Sequence, residues 1–77
     1  MEVFNDKNTS ELAELIEKSL LSLSKIYDFK KVPQIVIKYK VYVLVTRHYK
    51  IDLKKINKND FAKMNVLVKQ LIQTFDD

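Results

Sequence analysis

Residues 34–45 read Gln-Ile-Val-Ile-Lys-Tyr-Lys-Val-Tyr-Val-Leu-Val, and the backbone form of this stretch decides the fold. It is rich in β-branched and aromatic residues, the types that suit a pleated strand. A strand would place Ile35, Ile37, Tyr39, Val41, Val43 and Val45 on one face. A helix, turning about 100° per residue, aligns Ile37, Val41, Leu44, Val45, His48 and Ile51 in one stripe. Val36, Tyr39 and Val43 then form a second patch on the far side, flanked by Lys40 and Arg47. The helix is favoured because a strand needs a partner strand and no other segment reads as one. The strand survives only as an intermolecular ribbon shared by two chains. Pro33 fits the helical reading, since its missing N–H is unused in a first helical turn. The spacing predicts a helix over about 33–50.

The segments on either side are plainer. From about Thr9 to Tyr27, Leu12, Leu15, Ile16, Ser19, Leu23, Ile26 and Tyr27 recur at helical spacing. Asn8 can cap this helix, with Glu11 at its third position. Glu14 and Lys18 form an i,i+4 pair, worth about 0.3–0.5 kcal/mol. Asp28 to Lys31 is the expected break. Beyond the central helix, Asp52 can cap one short turn through Lys55. Asn57 caps a third helix over about 58–75, with Asp60 at its third position and Ile56 and Phe61 placed as a hydrophobic staple. Phe61, Met64, Val68, Leu71, Ile72 and Phe75 line its apolar face. Asp76 and Asp77 sit at the negative end of the helix dipole, where fraying is expected. The prediction is an all-α, three-helix domain over residues 1–77, associating through its second helix.

Composition narrows the chemistry. The 77 residues include no glycine and no cysteine. About five glycines would be ordinary for this length. Without glycine there is no P-loop and no dinucleotide-binding fingerprint. Without cysteine there is no disulfide framework, thiolate zinc site or cysteine nucleophile. No basic start leads into an apolar signal core, and charge-free stretches fall far short of the roughly 18 residues of a membrane span, so a cytoplasmic location is expected. Asn8-Thr9-Ser10 matches the glycosylation pattern, read here as coincidence for want of an export signal.

The net charge of +4 is unevenly spread: residues 1–29 carry six acidic groups against three basic, and residues 30–69 eleven basic against two acidic. Two readings stand side by side. The basic region is a footprint for a polyanion, or it is the complement of the acidic first helix.

Nothing in the sequence assembles into a catalytic constellation. His48, the one histidine, lies on the predicted apolar stripe and is expected at the core edge rather than as a base or ligand. Glu11, Glu14 and Glu17 read as a solvated face, and Ser10, Ser19, Ser22 and Ser24 lack a nucleophile elbow. No enzyme activity, metal, cofactor or small-molecule substrate is expected.

Tyr39, Tyr42 and Tyr49 stand apart from the predicted core and alternate with Lys38, Lys40, Arg47 and Lys50. With Val36 and Val43 they are the expected protein–protein interface, because a small bundle has little interior in which to bury a helix apolar on opposite sides. The partner is a second copy, giving a homodimer, or another protein. The alternative is a nucleic-acid-binding accessory protein using Lys38, Lys40, Arg47, Lys50, Lys54, Lys55, Lys58 and Lys63, mainly through phosphate neutralisation. A helix-turn-helix with a recognition helix from Lys58 would lack the usual glycine-containing turn.

Overall fold

A computed structural model describes residues 9–76. Among them are three α-helices, α1 (Thr9–Ser24), α2 (Gln34–His48) and α3 (Lys58–Asp76), a 3₁₀ turn at Leu53–Lys55, and no strand. The stretch that opened the question is therefore helical, and the intermolecular ribbon is set aside. None of these helices is long and apolar enough to cross a membrane. The expected Asn8 cap lies outside the described residues, as do Asp77 and the side chain of Asp76.

The core is built from three i,i+4 rows. Leu12, Ile16 and Leu20 come from α1, Ile37, Val41 and Val45 from α2, and Met64, Val68 and Ile72 from α3; all are buried. Such rows are the ridges by which helices interlock. Leu23 and Tyr42 complete the buried cluster. Two of the polar side chains drawn inside are satisfied by their own helices. Ser19 Oγ donates to the Leu15 carbonyl (2.9 Å), and Thr46 Oγ1 reaches the Tyr42 and Val43 carbonyls (2.8 and 3.1 Å).

The helix ends differ from the spacing prediction in instructive ways. α1 stops at Ser24, three residues before Tyr27. Beyond it, the N–H groups of Lys25 and Ile26 turn to the i−3 carbonyls of Ser22 and Leu23, and Ser24 Oγ donates to the Leu21 carbonyl. That tightening swings Ile26 off the core face and leaves it 72% exposed. In the connection that follows, Asp28 Oδ1 accepts from the Lys30 N–H at 3.0 Å, an Asx turn. Phe29 then meets Phe75 edge-on, ring centroids 5.8 Å apart, so the first connection packs against the last turn of α3.

Pro33 is the N-cap of α2 rather than its first helical residue, and its carbonyl accepts from Val36 and Ile37. At the other end α2 closes without glycine. Lys50 takes the left-handed conformation (φ 58°). The Ile51 N–H reaches back to the Thr46 carbonyl (2.8 Å), and that of Lys50 to Arg47 (3.1 Å). This is the paired hydrogen bonding of a Schellman motif, with lysine in the place glycine usually takes. The two remaining starts are as expected. Asp52 Oδ1 accepts from the Lys54 N–H (3.0 Å), and Asn57 Oδ1 from the Asn59 N–H (2.7 Å). Asp60 is buried in the first turn of α3, near the positive end of its dipole.

Candidate interaction surface on the second helix

The rotation of α2 about its axis settles which side chains are offered outward. Its inward row, Ile37–Val41–Val45, is flanked by Tyr42 and Thr46 rather than by Leu44 and His48. Two expectations are corrected by this. Tyr42 is buried, only 8% exposed, and its hydroxyl donates to Asn65 Oδ1 of α3 at 2.6 Å. Its ring also meets Phe61 edge-on at 5.2 Å. Turned this way, α2 buries the Tyr42 ring and satisfies its hydroxyl, and leaves Leu44 and His48 on the opposite, exposed side. His48 is exposed, with its ring packed edge-on against Tyr49 at 5.1 Å.

Burial raises the Tyr42 phenol above its ordinary pKa. Tyr49, half-buried at the C-cap of α2, is shifted the same way, first by burial and then by the charge of Glu11 on α1. Tyr49 thus sits between helices rather than on the outer face.

Opposite the inward row runs a second one, Ile35–Tyr39–Val43, again spaced i,i+4. Ile35 is 74% exposed, Tyr39 59% exposed, and Val43 half-buried. Val36 lies beside them, also exposed. Tyr39 forms a wall shared by two apolar grooves. The first, about 580 Å³, runs toward α3 and is lined by Ile35, Lys38, Tyr39, Leu53, Phe61 and Asn65, with Tyr42 and Gln34. The second, about 360 Å³, runs toward the end of α1 between Leu23, Ile26, Tyr27, Tyr39, Lys40, Val43 and Leu44. Lys38 is the charged residue of the first groove and Lys40 of the second. Lys40 Nζ stands 5.0 Å from the centre of the Tyr27 ring, a cation–π contact that holds the amine at the groove edge.

Val36, Tyr39 and Val43 were all placed on this face by helical spacing. The other walls were not: Phe61 and Leu53 come from the segment after α2, and Ile26 and Tyr27 from the end of α1. The only sequence signal for the wider surface is Ile35, which continues the Tyr39–Val43 row by one turn.

The eight basic residues are distributed over α2, the α2–α3 connection and α3. Lys38 and Lys40 are half-buried beside the grooves. Arg47 is exposed near the C-terminus of α2, by Leu15, Lys18 and Ser22 of α1. Lys50, Lys54, Lys55 and Lys58 are exposed along the α2–α3 connection, while Lys63 is half-buried on α3. On α1, Glu11, Glu14 and Glu17 are all exposed, and Glu14 pairs with Lys18 of its own helix at 3.5 Å. No family model matches the sequence, and no curated protein or solved structure matches it either.

Proposed function

We propose that this chain is a small non-enzymatic interaction module of the cytoplasm, which regulates or recruits a partner protein through the outer face of α2. The observation that carries this reading is Tyr39, a large aromatic side chain exposed between two apolar grooves on a helix whose opposite face already fills the core. Exposed aromatics beside apolar pockets are the anchors on which protein interfaces concentrate their binding energy. Val36, Tyr39 and Val43 carry the contact. Tyr42 supports it from below by fixing the groove floor, and Tyr49 supports the end of the helix.

The test is a photo-crosslinking amino acid placed at Tyr39 and, as control, at Glu17 on the exposed face of α1. Irradiation in cells is expected to give protein adducts from position 39 and none from position 17. Adducts that do not depend on position, or none at position 39, would refute the proposal.

One observation favours the alternative of nucleic-acid binding: Lys50, Lys54, Lys55 and Lys58 are all exposed, from the end of α2 through the connection to the first residue of α3. Lysines at a helix start can contact phosphate. Fluorescence anisotropy with duplex and single-stranded DNA at low salt decides it. Absence of binding at micromolar protein would end that reading.

A further inference from the structure

The two grooves are lined unequally in charge. Among the described residues, their charged side chains are lysines, and no aspartate or glutamate lines either one. α2 itself, Gln34–His48, contains Lys38, Lys40, Arg47 and His48 and no acidic residue. Lys38 and Lys40 lie two positions apart, about 200° around the helix, one on each side of Tyr39. The apolar row Ile35–Tyr39–Val43 is thus bracketed by ammonium groups on both flanks.

This pattern discriminates among occupants. A second copy docking by the same face would bring one lysine-edged strip against another, because a two-fold interface pairs the same patch with itself. Desolvating like charges against each other opposes association. A nucleic acid would satisfy the lysines and leave the apolar row uncovered. What satisfies both is a helix with an apolar stripe edged by carboxylates, the helix-in-groove mode of recognition.

We infer that the outer face of α2 binds an acidic amphipathic helix of a partner protein, with its apolar stripe over Ile35, Tyr39 and Val43 and its carboxylates against Lys38 on one edge and Lys40 on the other. This rests on the reading of α2 as the interaction surface and adds the chemistry of what lies on it. A helix of about 18 residues is about 27 Å long. The row from Ile35 to Val43 rises about 12 Å along α2, so such a helix covers it with about a turn to spare at each end.

Three synthetic peptides of that length test it against the full chain, by fluorescence anisotropy. One has leucines at i, i+3, i+4 and i+7 edged by glutamates. The second replaces each glutamate by lysine. The third scrambles the first. The first is expected to bind about tenfold more tightly than either of the others, a difference of about 1.4 kcal/mol. Tyr39→Ala is expected to weaken it about tenfold, with an unchanged circular dichroism spectrum because Tyr39 is exposed. The double variant Lys38→Ala/Lys40→Ala is expected to weaken it and to flatten its dependence on salt.

Equal affinity for the lysine or scrambled peptide would overturn the inference, as would indifference to Tyr39→Ala. Sedimentation equilibrium separates the remaining cases. Self-association abolished by Tyr39→Ala would assign the face to a second copy, overturning the acidic helix while leaving α2 as the interaction surface. Displacement of the bound peptide by a DNA oligonucleotide, together with absence of protein adducts from position 39, would overturn both.

Discussion

Lys50→Gly should make this protein more stable, although it adds a glycine to a chain that has none. Lys50 sits at φ 58°, in the left-handed region, at the end of α2. For an L-residue that conformation costs about 1–2 kcal/mol, because Cβ crowds the following carbonyl oxygen. Glycine removes this cost and brings one of its own, the greater freedom that it loses on folding, about 0.5–1 kcal/mol relative to alanine. The balance favours glycine by about 0.75 kcal/mol, the difference between the midpoints of the two ranges. The two hydrogen bonds of the motif, from Ile51 to Thr46 and from Lys50 to Arg47, are made by backbone groups and survive the change. For a domain of this size, about 0.75 kcal/mol raises Tm by roughly 3–6 °C. The assay is paired urea and thermal denaturation of the parent, Lys50→Gly and Lys50→Ala. Alanine keeps the Cβ and should match lysine within about 0.5 kcal/mol. A Tm for the glycine variant at or below that of the alanine variant would refute the assignment of strain to Cβ.

Two further outcomes concern polar contacts in the fold. Asn57→Ala removes the acceptor of the Asn59 N–H at the start of α3 and should cost about 1 kcal/mol in urea denaturation, with Asn57→Asp close to the parent. The Tyr42 phenol is raised above 10.0 by burial, so the unfolded chain ionises first as pH rises. Stability from this group is intact below pH 10 and is lost as pH climbs through the folded pKa. Tyr42→Phe should shrink the fall in urea midpoint between neutral pH and pH 11, and at neutral pH should cost about 1 kcal/mol for the lost bond to Asn65.

Helical spacing was sufficient to find two of the three rows that hold the molecule together; in α1 it found Leu12 and Ile16 and passed over the buried Leu20. Ile37, Val41 and Val45 follow from i,i+4 arithmetic alone, as do Met64, Val68 and Ile72. Polar side chains marked the starts of the 3₁₀ turn and α3, since Asp52 and Asn57 accept from N–H groups two residues on. Less legible was which residue would flank a row. Tyr42 and Leu44 stand on opposite sides of the inward row of α2, and the choice depends on Asn65 and Phe61 across in α3, a tertiary partner that no local pattern names. Ile26 fails for a local reason: its spacing suits the core, but the serine-rich end of α1 tightens to i−3 bonds before reaching it. The centre of the candidate surface, Val36, Tyr39 and Val43, was visible because it depends on one helix. Its walls were not, because they come from three separate parts of the chain.

The edge-on contact between Phe29 and Phe75 also constrains how the protein opens. It joins the first connection to the last turn, two places where exchange of amide hydrogens would ordinarily be independent and fast. Held together by this contact, they are expected to open as one unit, so that loosening the C-terminal turn of α3 would release the segment leading into Pro33 and the start of α2. Native-state exchange would then give residues 28–32 and 72–75 a common opening energy. An event at the C-terminal end of α3 would then reach Ile35 and Val36 through the backbone.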